Sequence, residues 1–223
     1  MNKIRYVKIQ FDKQMMPYDI PKFRGAVIEA SERKSNLFHN HYSKDEFIYR
    51  YPLIQYKIIN KKPSIICLNE GTDDIHYLLN NREFNFRIDK EQIKFEIEEI
   101  YLKYFLIQPW NENFKYHLHN WLPLNQENYS KYNTIEGLSD KIIFLEEILQ
   151  RHLEIIIEEL KIITEIPVHT KILEIKEEDF LPLKGQYLKS LKINFMTNIS
   201  LPDFIGLGKG SSVGFGIVKR INE

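Results

Sequence analysis

The chain has one cysteine among its 223 residues, Cys67, so no disulfide can form within it. That cysteine lies in the apolar run of residues 64–68, where a buried structural thiol is expected. No charge is in excess, since 31 basic residues balance 31 acidic ones. This balance argues against a general polyanion binder and leaves room for local basic surfaces. No stretch approaches the uninterrupted apolar length of a membrane span. Residues 1–8 hold no apolar core of signal-peptide length. The expectation is a soluble cytoplasmic protein with no membrane partner. Glycine is also scarce, nine in all, yet five of the nine fall within residues 206–216.

That segment reads Gly206, Leu207, Gly208, Lys209, Gly210, Ser211, Ser212, Val213, Gly214, Phe215, Gly216. Glycine has no Cβ, so it adopts positive φ and lets another backbone come close. Backbone N–H groups in such a turn form a concave anion site, and Lys209 beside Ser211 and Ser212 suits an anionic visitor. The other reading is a C-terminal hairpin whose glycines only let strands pack. Two familiar phosphate loops do not fit. In a P-loop the lysine precedes Ser or Thr and a helix follows, whereas Lys209 precedes Gly210 and no helix fits in what remains. A dinucleotide fingerprint needs a helix and a further strand after its turn, and the sequence stops short of both.

A hydrophobic share of 43% with 28% charged residues is ordinary globular composition, and the length suits one large domain or two small ones. Residues 5–11 alternate, with Val7, Ile9 and Phe11 on one side, as a strand does. Asp19 and Pro21 mark a helix start, running through Phe23, Val27 and Ile28. Residues 47–59 are rich in β-formers, Asn60 to Pro63 break them, and 64–68 resume as a paired strand. Thr72 or Asp73 is placed to cap a second helix over Ile75, Leu78 and Leu79. Strands are expected over 93–107 and 115–122. The first part thus has the order β-α-β-β-α-β with an extra hairpin, which is ferredoxin-like. Asn125 is placed to cap a helical turn through Tyr129 and Tyr132. Ser139 or Asp140 begins a long helix with Ile142, Leu145, Leu149, Leu153, Ile156, Leu160 and Ile163 on one face. Its other face is acidic, from Glu146 to Glu165, and reads as solvated surface away from nucleic acid. Leu191, Ile193 and Phe195 alternate in a later strand, and a last strand covers 215–221. The expected class is α+β, two tandem ferredoxin-like (RRM-like) domains over 1–123 and 124–223, the second degenerate.

The glycine segment with Ile217 and Val218 resembles the C-terminal glycine-rich loop of the repeat-associated mysterious protein superfamily. Further likeness lies in residues 23–27 (Phe-Arg-Gly-Ala-Val), 37–40 (Leu-Phe-His-Asn) and 49–57. Over nearly its whole length the chain resembles the CRISPR-associated endoribonucleases that cut precursor CRISPR RNA within its repeats. The resemblance implies two ferredoxin-like domains, no cofactor, and CRISPR repeat RNA as partner. Effector-complex subunits and a second copy of the chain remain open as further partners. It also implies a histidine after the first helix as general acid or base, which is His39, with His41 as the alternative. Some members place a tyrosine in the first helix and a lysine after the histidine; here these positions fall on Glu29 and Lys44.

The chemistry implied is metal-free, by attack of the 2′-hydroxyl, leaving a 2′,3′-cyclic phosphate and a 5′-hydroxyl. A histidine serves because its ordinary pKa lies near neutrality, and Lys44 or Lys57 would offset charge on the phosphorane. Arg24, Arg50, Lys57, Lys209, Ser211, Ser212 and the five loop glycines Gly206, Gly208, Gly210, Gly214 and Gly216 are the candidate RNA contacts. Among Tyr49, Tyr51 and Tyr56, two are expected to be structural and one to stack on a base. His117 and His119 alternate on a strand and so share a face. No third ligand stands at readable spacing, and no metal site is assigned. The competing reading is a non-catalytic CRISPR RNA-binding subunit of the same superfamily, and a third is an unrelated α+β protein.

Overall fold

β1 (Lys3–Phe11) turns Val7, Ile9 and Phe11 into the core, as its alternation dictates. A computed structural model describes residues 3–32, 34–38 and 50–221. After a 3-10 turn at Pro17–Asp19 comes α1 (Ile20–Ala30), with Pro21 in its first turn, where a missing N–H costs nothing. It buries Ile20, Phe23, Ala26 and Val27. A second 3-10 turn, Asn36–Phe38, buries Phe38. β2 (Ile54–Ile59) and β3 (Lys62–Leu68) form a hairpin. Its two turn residues, Asn60 and Lys61, both have positive φ (52° and 63°), as a two-residue turn matched to strand twist requires. Two short helices follow, α2 (Glu70–Asp74) and α3 (His76–Leu79). Then come the hairpin of β4 (Phe84–Ile88) and β5 (Glu91–Phe95), and β6 (Ile97–Leu106).

The main sheet has the order β2-β3-β1-β6. That is the ferredoxin-like order, with β6 as the fourth strand. Val7 pairs with Cys67 and Ile9 with Ile65, so the apolar alternation of the two strands falls on one face. Phe11 meets Phe23, Phe84, Phe86 and Phe95 edge-on at 5.6–6.1 Å. The β4–β5 hairpin thus contributes aromatic rings to the core of this unit.

The second unit opens with β7 (Pro109–Trp121), followed by α4 (Gln126–Thr134) and α5 (Leu138–Glu159). The Asn125 side chain caps α4 by accepting from the Asn128 N–H at 2.7 Å. α5 buries Leu145, Leu149, Leu153 and Ile156 at steps of three and four, while Glu147 and Glu158 stay exposed. β8 (Thr170–Leu183) and β9 (Gln186–Ile199) make a long hairpin, and β10 (Ile217–Arg220) completes a sheet of order β10-β7-β9-β8. The order again is ferredoxin-like. Residues 200–216 hold no helix where a second crossover helix would stand, so this unit is degenerate. Among the described residues no helix is long and apolar enough to cross a membrane.

Several boundaries differ from the expectation. The chain divides at Leu106 rather than at 123/124: one unit is Lys3–Phe105 with Ser212–Gly214, the other Leu106–Ser211 with the chain from Phe215. The reason is strand pairing, because β7 bonds to β9 and β10 and opens the second unit instead of closing the first. Strand structure before the first hairpin begins at Ile54, and 47–49 lie outside the described residues. The second helix is broken at Ile75 and starts after Asn69. α5 starts at Leu138 with Gly137 at the N-cap, two or three residues before the expected cap at Ser139 or Asp140.

Candidate functional site

Tyr56 on β2 is buried, and it joins two distant parts of the sequence. Its hydroxyl donates to the Phe38 carbonyl at 3.1 Å. Its backbone N–H donates to the Ser212 carbonyl at 2.8 Å, and Tyr56 and Val213 form a parallel bridge. Phe38 is 1% exposed and anchored in the core, so the chain is held fixed at the residue immediately before His39. Ring packing on Phe23 of α1, 6.2 Å away, completes the support for Tyr56. Burial pushes the phenol well above its ordinary pKa, so it stays a neutral donor. The first helix, the entry to the histidine segment, β2 and residues 212–214 therefore meet around one side chain. His39, His41 and Lys44 themselves lie outside the described residues, as does Tyr49.

The cations singled out above sit differently from one another. Arg24 on α1 is half-buried, and burial lowers its guanidinium pKa while the Tyr56 phenol acts in the opposite sense. Arg50 is half-buried at the point where the described chain resumes. Lys57 is wholly buried, opposite Ser64 across the β2–β3 pair, and burial pushes its ammonium down to about 7. It is therefore poised between charged and neutral forms near neutrality. Glu29 is exposed and pairs with Arg87 at 3.6 Å. Tyr51 is 4% exposed, in line with a structural ring.

The glycine segment is bound largely to itself. The Leu207 N–H donates to the Gly216 carbonyl at 2.8 Å and the Phe215 N–H to the Gly210 carbonyl at 3.2 Å. Gly206 bridges Ile217. Gly216 has φ +60°, and a Cβ there would stand 1.9 Å from the Leu207 carbonyl oxygen. Gly208, at φ +78°, lies against the His152 ring and Trp121 Nε1, where a Cβ would come within 2.9 and 3.0 Å. At both positions it is the protein's own atoms that need the missing side chain. Gly210 and Gly214 also have positive φ, and Gly214 borders Ile20 of α1. Ser211 is buried, Ser212 is half-buried, and Lys209 is exposed.

His152 and Trp121 escaped the sequence reading. Trp121 Nε1–H donates to His152 Nδ1 at 3.2 Å, which requires that nitrogen to be unprotonated. Burial lowers the imidazole pKa to about 4. An unfolded histidine titrates near about 6.5, so between these values the unfolded chain binds more protons. The contribution of neutral His152 is therefore complete above about pH 6.5 and is lost as pH falls through about 4. His152→Gln, which keeps an acceptor for Trp121, is expected to flatten the fall in melting temperature across that range. Thermal unfolding at a series of pH values checks this.

His117 and His119 do share a face, with ring centroids 5.9 Å apart. Among the described residues no cluster of three metal-ligating side chains is present.

Two ferredoxin-like units in tandem, with a glycine-rich loop before the last strand, form the architecture of the repeat-associated mysterious proteins. A solved protein of that class, described as binding different RNA substrates, aligns with a TM-score of 0.53 at 13% identity over 98% of this chain and 100% of its own. A model of the Cas6b N-terminal domain matches residues 2–106, and one of the Cas6b C-terminal domain matches residues 108–221. The chain belongs to the Cas6b family. A crystal structure of Cas6b aligns with a TM-score of 0.87 at 23% identity, over 98% of this chain and 100% of that one. A second, of a Cas6b described as a CRISPR RNA processing endoribonuclease, gives 0.74 at 23% identity with the same coverage of both chains. An uncharacterized protein of Methanocaldococcus jannaschii is 29% identical over 157 residues, 66% of this chain and 97% of its own.

Proposed function

We propose that this protein is an endoribonuclease that processes precursor CRISPR RNA by cutting within its repeats, through a metal-independent reaction. His39, or His41 in its place, takes the proton from the 2′-hydroxyl beside the scissile phosphate. The oxygen forms a bond to phosphorus as the bond to the 5′-oxygen breaks, and that oxygen leaves with a proton. The products are a 2′,3′-cyclic phosphate and a 5′-hydroxyl. Lys44 offsets the charge that gathers on the phosphorane, and Lys57, wholly buried, is not available to contact the RNA. Membership of the Cas6b family supports this reading. The observation that carries it is Tyr56, whose hydroxyl grips the residue before His39 while its backbone grips the glycine segment at Ser212. A catalytic group needs a fixed approach, and that anchor supplies one.

The test is a repeat RNA with a single 2′-deoxy nucleotide at the cut site. It is expected to bind as the natural RNA does and to resist cleavage, because the nucleophile is gone. Cleavage of that RNA at the same position would overturn the mechanism. Binding of natural repeat RNA with no cleavage would favour a non-catalytic CRISPR RNA-binding subunit.

Lys209, exposed on the glycine segment, takes the role of a phosphate contact. Lys209→Ala is expected to flatten the slope of log affinity against log salt by about one unit. Glu154→Gln, on the acidic face of α5, is expected to leave the slope unchanged. Titrations of repeat RNA at several salt concentrations measure both.

A further inference from the structure

The sheet of the C-terminal unit has two unlike faces. Phe114, Tyr116 and Leu118 on β7 and Leu191, Ile193 and Phe195 on β9 are buried. The residues between them, Lys115, His117, His119, Lys192 and Asn194, are exposed or half-exposed. Pairing carries this second face across the sheet. His117 stands opposite Asn194 on one side and Lys219 on the other, while Glu174 and Glu177 of β8 stand opposite Asn194 and Lys192.

The imidazole of His117 is held in place. Asn194 Nδ2 donates to the Glu174 carboxylate at 2.7 Å, which turns its Oδ1 to His117 Nδ1 at 2.6 Å. A carboxylate only accepts, so the amide orientation is set and His117 must donate from Nδ1.

We propose that this face is a second RNA-contact surface, holding a single-stranded segment of the repeat RNA by its phosphates on Lys176, Lys192 and Lys219 and by base stacking on His117 and His119. The proposal rests on the RNA-processing reading above. Three features support it. First, cations crowd His119: after burial, Lys192, Lys219 and Lys176 are among the groups that lower its pKa. Second, the carboxylates on the face hold their lysines loosely, Glu177 to Lys192 at 3.6 Å and Glu174 to Lys176 at 3.8 Å. Exposed pairs of this kind are weak and readily exchanged for phosphate. Third, the ring-bearing positions lie on β7, a central strand of a four-stranded ferredoxin-like sheet. RRM-type sheets stack unpaired bases on rings of their open face.

The experiment measures binding of the 2′-deoxy-blocked repeat RNA across a salt series. The proteins compared are wild type, Lys192→Gln/Lys219→Gln, Lys192→Arg/Lys219→Arg, and the helix control Lys131→Gln/Lys141→Gln. The Gln pair on the sheet is expected to make the salt slope shallower by ~1.4, since each single-strand phosphate contact adds roughly 0.7. The Arg pair and the helix control are expected to keep the wild-type slope. His119→Ala is expected to weaken binding about tenfold and His119→Phe to retain it, because a ring of either kind stacks. A wild-type slope in the sheet Gln pair, with an unchanged melting temperature, would overturn the proposal. So would an equal loss in the helix control, which would make the effect one of net charge. If wild type binds and cuts its repeat while the Gln pair behaves as wild type, this surface alone is refuted. If wild type binds no repeat RNA, the processing reading falls and this surface falls with it.

Discussion

Replacing His39 by alanine is expected to slow cleavage of the repeat RNA by about 10²- to 10⁴-fold, the usual contribution of a positioned acid or base. Binding is expected to persist. An imidazole is a small part of an interface dominated by phosphate contacts, a role proposed here for Arg24, Arg50 and Lys209. The size of the loss follows from how the segment is mounted. Phe38 is fixed by burial and by the Tyr56 hydroxyl, so the chain enters residue 39 from a rigid point. Single-turnover cleavage with saturating enzyme separates chemistry from affinity. Normal cleavage by His39→Ala with a large loss in His41→Ala would keep the mechanism and move the assignment by two positions. Normal cleavage by both variants would refute a histidine mechanism in this segment.

The second large effect is on stability. Gly216→Ala is expected to destabilise the fold by about 2–5 kcal/mol, combining the cost of a left-handed residue with that of overpacking. The added Cβ would stand 1.9 Å from the Leu207 carbonyl oxygen, and Gly216 holds two backbone bonds, to Leu207 at 2.8 Å and Asn120 at 2.9 Å. Relief requires backbone to move, which would loosen the segment that reaches Tyr56 through Ser212. The melting temperature should fall on the order of 10 °C. Gly185 is the control. It has φ +77° in the β8–β9 turn with open space around it, so Gly185→Ala meets only the backbone cost of about 1 kcal/mol. If Gly216→Ala melted like wild type but lost RNA affinity, the glycine would serve the ligand rather than the fold.

What could be read from the amino acids was what is local. The α5 stripe from Leu145 to Ile156 and the alternation of Leu191, Ile193 and Phe195 predict their elements directly, because burial on one face imposes a period. The partner of a strand is not a local property. β6 and β7 follow one another and both look like strands, yet one closes the first sheet and the other begins the second. This is why the expected boundary falls after β7 and the observed one before it. The glycine segment was legible as a motif, but not the identity of its neighbours: Gly208 owes its conformation to His152 and Trp121, far away in the chain. The role of Tyr56 was hidden for the same reason. As a ring in a β-rich stretch it resembles any core tyrosine, and only the folded chain brings Phe38 and Ser212 to it.

The most direct measurement is to incubate the protein with the repeat RNA of its own genome in EDTA and to map the ends of the products. The account predicts one cut within the repeat, unaffected by chelation, with a 2′,3′-cyclic phosphate on the upstream fragment and a 5′-hydroxyl on the downstream one. A cut that stops on chelation, or that leaves a 3′-hydroxyl and a 5′-phosphate, would contradict it.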